Sequence, residues 1–459
     1  MRNAWLISVN MGYGHQRTAF PLRNLTPNRK IINANDYPGI PKKDRIFWGT
    51  TRKGYELISK LKRLPVLGES IFFIFDQFQK ILSFYPKRDL SKPNSQLKQT
   101  FSLIKKGWGR HLIEKLSKKP LPLVSTFFTP AFMAEFFNYP SAATGEDERK
   151  FIDYPSVARG RKEQMFFKHP GEIFCVVCDA DISRTWAPLD PKLSKIKYFA
   201  PTERVVERLK LYGVRPENIF LTGYPLPLEN VGDEKLEILE EDLRHRLLNL
   251  DPKGKYLKLY EPLIKKYLRE LPKESNHPLT LMFAVGGAGA QKEIGIKIVK
   301  SLAQKIKNKG IKIILSAGII ERVKNYFEEN IKKIGLGANL GKNLEIIFEN
   351  DIESYFQKFN QSLRQTDILW TKPSELSFYS ALGIPIIIAP AIGSQEQFNK
   401  RWLLKSGFGI QQENPDYTNQ WVFDWLDRGY FAEAAMQGFI EGEKLGTLKI
   451  KEIISKCSG

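Results

Sequence analysis

Between Gly383 and Gly393 the chain runs through Ile384-Pro385-Ile386-Ile387-Ile388-Ala389 without a polar side chain. The run is too short for an ordinary helix and too apolar for a strand with one wet face, so it suits a strand buried on both sides. Sheets with two covered faces are doubly wound and parallel, with crossover helices supplying the cover. The pattern recurs: apolar strand candidates fall at 279–285, 311–316, 344–348 and 366–370, separated by amphipathic helix candidates. In the first half the same alternation begins with Ala4-Trp5-Leu6-Ile7-Ser8-Val9, a glycine turn and a helix-like stretch that Pro21 should shorten or kink. It resumes at 122–126, 173–178, 197–200 and 218–221.

With 459 residues the economical architecture is two Rossmann-like units in tandem. The expected boundaries are a first domain over 1–228 with a basic, aromatic insertion at 41–120, a charged helical connector over 229–275, and a second domain over 276–416. Residues 417–459 are expected to be helical and to pack back on the first domain. A hydrophobic content of 42% supplies enough apolar material for large cores and argues against disorder. No run approaches the roughly 18 apolar residues of a membrane span. The N-terminus leads straight into a strand, which argues against a secreted precursor. Three cysteines, Cys175, Cys178 and Cys457, make no disulfide framework and favour a reducing cytosol.

The net charge is +21, and residues 1–120 hold 24 Lys or Arg against 7 Asp or Glu. Such a segment favours a polyanionic partner: an anionic bilayer, a nucleic acid or a phosphorylated substrate. The insertion combines that charge with Trp48, Phe72, Phe73, Phe75, Phe78 and Phe84, a pattern that suits a membrane interface and equally suits core packing. Nucleic acid is excluded as the expected partner because no compact recognition motif accompanies the charge. Two metal-like patterns are discounted. Asp179-Ala180-Asp181 lacks any companion motif, and Cys175 and Cys178, three apart in a strand, point to opposite faces. No metal and no cofactor are expected.

In a parallel sheet, ligands bind at the carboxyl ends of strands, where glycine lets backbone N–H groups and a helix N-terminus face a phosphate. One glycine turn is Gly12-Tyr13-Gly14-His15. The other is Gly286-Gly287-Ala288-Gly289, directly after a strand. Neither has the Lys-Ser/Thr ending of a P-loop. Two polar loops open helices on the same expected edge: Lys372-Pro373-Ser374-Glu375, and Gln395-Glu396 with Asn399. Glu375 suits a ribose diol, while Gln395, Glu396 and Asn399 suit sugar hydroxyls. The plain alternative is helix caps and solvated turns, with Ser374 as a cap.

Taken in order, these motifs resemble the GT-B glycosyltransferases, in particular the bacterial MurG and plant-type monogalactosyldiacylglycerol synthase group. The resemblance rests on Gly14-His15, Val176-Val177-Cys178-Asp179 with Trp186, and Gly213-Val214 through Thr222-Gly223-Tyr224-Pro225. In the second half it rests on the glycine loop, Lys372-Pro373, Gly383-Ile384-Pro385 and Gln395-Glu396-Gln397-Phe398-Asn399. It implies two Rossmann-like domains facing each other across a cleft and an inverting, metal-independent, hexosyltransferase-like activity. The donor would be a nucleotide-sugar, UDP-linked, and the acceptor a lipid or other membrane-associated or anionic molecule. The enzyme would be cytoplasmic, peripheral on the cytosolic membrane face, and would make a glycolipid. Gly12, Tyr13 and Gly14 would form the acceptor-side loop, with His15 as the general base and Asp179 either orienting it or taking its place. Gly286, Gly287, Ala288, Gly289, Lys372, Pro373, Ser374, Glu375, Gln395, Glu396 and Asn399 would bind the donor. Two other functions stay open: a nucleotide-sugar epimerase of the same fold, and a noncatalytic protein that docks on membrane or polyanion.

Overall fold

The computed structural model describes residues 3–49, 81–139, 171–287 and 289–457. Of the sequence features above, Ala288 and the aromatic run Phe72, Phe73, Phe75 and Phe78 lie outside the described residues. The chain divides into two compact units. One comprises Met1–Pro225, Ile392–Phe398 and Leu445–Gly459, the other Leu226–Ala391 and Asn399–Lys444.

The first unit is built on a parallel sheet of β1 (Trp5–Ser8), β2 (Ile32–Asn33), β3 (Leu123–Ser125), β4 (Ile173–Val176), β5 (Lys197–Ala200) and β6 (Ile219–Leu221). Its order is β2-β1-β3-β4-β5-β6. The chain leaves β1 toward β2 and then returns to the other side of β1 to form β3. The topological switch point, where such sheets open a crevice at their carboxyl edge, therefore falls between β1 and β3. One face packs Leu6, Val124, Phe174, Val176 and Phe199 against Ala19, Leu22 and Leu25 and against Ile450 and Ile454 of the C-terminal helix Gly446–Cys457. The first helix, Tyr13–Ala19, stops where Pro21 enters, and the chain continues as a 3-10 turn over Phe20–Leu25. Proline cannot supply the N–H that another α-turn needs.

Much of the described insertion is core. Trp48 is buried edge-on to Trp108 with ring centroids 4.8 Å apart, and Phe101 packs on Phe132. Phe84 lies under the Arg204 guanidinium at 3.8 Å. The segment around it is strapped to the helix Glu203–Leu211, because Arg208 donates to the Leu82 carbonyl and Leu90 N–H donates to Leu211. Arg208 also forms a buried bidentate pair with Asp181, both bonds 2.8 Å. Asp181, half of the Asp-Ala-Asp pattern, is thereby committed to a structural role. Among the described residues of this region Ile46, Leu82 and Tyr85 are exposed large apolar side chains, Ile46 and Tyr85 the most so at 65% and 67%. Among the described residues no helix is long and apolar enough to cross a membrane.

On the helix Phe128–Asn138, Glu135 is fully buried. Its Oε1 accepts from Ser194 Oγ at 2.8 Å and from Lys195 N–H at 2.6 Å, whereas Oε2 has no partner. Burial raises its pKa from 4.5 to about 7, against the opposing pull of those hydrogen bonds. The folded state thus holds the proton more tightly than the unfolded chain. The stability tied to that proton is complete below pH 4.5 and is lost as the pH rises through 7. The displacement corresponds to about 3 kcal/mol. Glu135→Gln carries no such proton, so urea midpoints at about pH 5 and pH 8 should differ less in the variant than in the wild type.

The second unit has β7 (Thr280–Ala284), β8 (Lys312–Gly318), β9 (Leu344–Phe348), β10 (Ile368–Thr371), β11 (Ile386–Ile388) and β12 (Gly409–Gln411). All are parallel, in the order β12-β11-β10-β7-β8-β9. This is the Rossmann order, with its switch point between β7 and β10. Ile386, Ile387 and Ile388 are fully buried, as a strand covered on both faces requires. The helix Glu237–Leu250 packs into this unit through Leu239, Leu243, Leu247 and the buried Arg246. The Arg246 guanidinium donates to the carbonyls of Thr366 and Leu382, both at 2.8 Å, and reaches those of Leu363 and Gly383. It thereby satisfies the ends of the helix Ile352–Leu363 and the 3-10 helix Glu375–Leu382. Arg246→Met leaves these acceptors dry, and the expected loss is about 3–5 kcal/mol, read as a lower urea midpoint.

Candidate functional site

Two groups of candidate residues form, one at each switch point. In the first unit the chain leaves β1 through Val9 and Asn10 and turns at Gly12, whose φ is +102°. A side chain there would meet nothing within 4 Å, so the need for glycine is torsional rather than steric. The turn starts the helix Tyr13–Ala19 at the carboxyl edge of the sheet and sets His15 in its first turn. Tyr13 is buried, while Gly14 and His15 are half-buried.

Across the switch point, Thr126 follows β3 directly. The His15 Nδ1 lies 2.8 Å from the Thr126 carbonyl oxygen. A carbonyl only accepts, so Nδ1 carries the hydrogen and the neutral ring keeps its lone pair on Nε2. The Thr126 hydroxyl donates back to the His15 carbonyl at 2.9 Å and reaches Ser8 Oγ at 3.2 Å. From the end of β4 comes the Cys178 sulfur, 3.4 Å from Nδ1. Asp179, the next residue, is half-buried on the same edge. The Phe127 ring meets the imidazole edge-on at 4.8 Å, and Trp186 lies 6.5 Å away. The assembly is an imidazole of defined tautomer, walled by aromatic rings.

In the second unit the loops after β7, β10 and β11 converge. The stem of Lys372 lies against Gly286 so closely that a Cβ there would fall 2.6 Å from Lys372 Cε. Any side chain at 286 would displace the lysine. The Gly289 N–H closes the turn onto the Gly286 carbonyl at 2.8 Å, and Gly287 occupies its tip. Gln291 Nε2 donates to the Pro390 carbonyl at 2.8 Å, joining the loop after β7 to the loop after β11. Asn399 is fully buried, and its amide donates to the Pro373 carbonyl at 3.3 Å. An ammonium over a glycine turn that opens the helix Lys292–Ser301 makes a cationic edge suited to a phosphate-bearing ligand.

The remaining candidates are placed differently. Ser374 precedes the 3-10 helix Glu375–Leu382, and its side chain makes no capping hydrogen bond. Glu375 is buried at the start of that helix. Glu396 folds back on its own loop, its Oε2 accepting from the Ile392 N–H at 2.6 Å. Gln395 and Glu396 fall in the segment that belongs to the first unit, whereas Asn399 belongs to the second. Thr126, Phe127 and Gln291 were not singled out as site residues in the sequence. The signal that would have found them is their position one or a few residues beyond a strand that borders a switch point.

A family model described as "Domain of unknown function (DUF6938)" matches residues 267–345. The processive diacylglycerol beta-glucosyltransferase of Bacillus subtilis (strain 168) is 24% identical over 217 residues, which is 47% of this chain and 45% of that protein. The chain thus spans less than half the length of this curated relative. Among solved structures, MurG of Acinetobacter baumannii aligns with 99% of this chain and 100% of its own, at 12% identity and a TM-score of 0.44. The UDP-GlcNAc 2-epimerase of Neisseria meningitidis, solved with UDP-GlcNAc bound, aligns with 80% of this chain and 84% of its own, at 13% identity and a TM-score of 0.41. The sequence similarity is to a glycosyltransferase, and the two Rossmann-like units are established by the strand orders themselves.

Proposed function

We propose that this chain is an inverting glycosyltransferase that moves a sugar from a UDP-linked donor to a hydroxyl of a lipid or other membrane-associated acceptor. The observation that carries the proposal is the Lys372 stem lying against Gly286 at the β7/β10 switch point. It sets a cation over a glycine turn where a leaving diphosphate gains charge. The sequence similarity to a diacylglycerol glucosyltransferase supports the same choice of chemistry. In the proposed reaction the acceptor oxygen attacks the anomeric carbon while His15 Nε2 takes its proton. The bond from that carbon to the β-phosphate oxygen breaks, and the nucleoside diphosphate leaves with the electron pair. A single displacement inverts the anomeric centre. Lys372 and the backbone N–H groups of Gly286 and Gly287 offset the charge on the leaving group. Asp181 is held by Arg208 and is given no part in the reaction.

A thermal-shift panel of uridine, guanosine, adenosine and thymidine diphosphates tests the donor class. UDP is expected to stabilise most, by about 2.7 kcal/mol at a hundred times its dissociation constant. A flat panel would remove the donor assignment. Supplying UDP-sugars together with anionic vesicles containing diacylglycerol should yield glycolipid. Conversion of the free nucleotide-sugar to an epimer instead would replace transfer by epimerisation.

A further inference from the structure

We infer that Thr126 and Cys178 are positioning residues for His15, an inference that rests on His15 acting as the proposed base. Three chain segments with no local link in sequence meet at one edge of the imidazole. The Thr126 carbonyl accepts the Nδ1 hydrogen at 2.8 Å, and the Thr126 hydroxyl fixes the His15 backbone through its carbonyl at 2.9 Å. One residue thus holds both the ring and the main chain of the histidine, and its own N–H is tied to the Ile7 carbonyl of β1 at 3.0 Å. Thr126 is fully buried and Cys178 nearly so, which makes both rigid supports. The sulfur at 3.4 Å closes the remaining side of Nδ1. With that edge occupied by acceptors, turning the ring over about Cβ–Cγ would put Cδ2–H against the carbonyl and lose the Nδ1 hydrogen bond. The clamp therefore selects which nitrogen receives the acceptor proton. Supports of this kind tune a histidine without touching the reacting atoms.

The test is a 15N imidazole spectrum of the whole protein, read without substrate. The chain has five histidines, and the His15 signals are assigned by their loss in His15→Ala. The wild type is expected to show His15 as the Nδ1–H tautomer alone. Thr126→Val, which keeps the shape and the carbonyl but loses the hydroxyl, and Cys178→Ala should each give a mixed tautomer population. Each should also lower kcat by about fivefold with KM little changed, the worth of one net hydrogen bond. Thr126→Ser should restore the wild-type spectrum. An Nε2–H tautomer in the wild type, or unchanged spectra in both Thr126→Val and Cys178→Ala, would overturn the inference. A protein that transfers no sugar in any form but keeps the expected spectra would overturn the base assignment and leave the clamp intact. If Thr126→Val does not fold, Cys178→Ala and Thr126→Ser still decide the matter.

Discussion

His15→Ala is expected to lower kcat for sugar transfer by about 10²- to 10⁴-fold, the range that a well-placed general base supplies. UDP binding should stay at the wild-type level, because the glycine turn and Lys372 belong to the other unit. The split between the two readouts is the point of the experiment. Isothermal titration with UDP measures donor affinity, and turnover measures the role of His15 in chemistry. Wild-type turnover in the variant would move the base to Asp179, which lies on the same edge one residue beyond Cys178. A joint loss of turnover and UDP binding would instead mean that the helix Tyr13–Ala19 had been disturbed as a whole.

Lys372→Met carries the second large effect. Methionine preserves most of the stem that covers Gly286 and removes the charge, so the expected loss is electrostatic. Removing a cation from a developing diphosphate costs about 3–4 kcal/mol, or roughly 10²- to 10³-fold in kcat/KM. Gly286→Ala approaches the same interaction from the other side. Its Cβ would lie 2.6 Å from Lys372 Cε and push the lysine away. The two substitutions should therefore be strongly non-additive: once Lys372 is Met, Gly286→Ala should cost little further. Additive losses would mean that the glycine serves the loop and not the lysine.

The strands at 5–8, 197–200 and 280–284 fall within or on the apolar runs of the sequence. They do so because a centre strand of a doubly wound sheet is buried on both faces and must be written in apolar residues. The edge strands β6 and β9 were legible as well, whereas the edge strands β2 and β12 were not. β2 is only Ile32-Asn33 and β12 only Gly409–Gln411, neither of which has an apolar run, because an edge strand needs to fit one neighbour rather than two. The segment after β10 was legible as a polar turn into a helix but not as a 3-10 helix over Glu375–Leu382. The aromatics of the insertion were ambiguous, since the same residues suit a bilayer or a core, and Trp48 is core.

The candidate site divides along the same line. Gly12 to His15, the 286–289 turn and Lys372-Pro373 are local motifs, and their residue types alone mark them as glycine or polar turns at strand ends. Gly286 beneath Lys372 is different, because it depends on β7 and β10 being neighbours, and strand order is set by crossovers that no local window records. The His15 tautomer is more hidden still. It is decided by the Thr126 carbonyl, a backbone atom common to every residue, and only the pairing of β1 with β3 brings that oxygen to the ring. Side-chain chemistry was written in the sequence; which atoms face one another was decided by how the described strands sorted into two sheets.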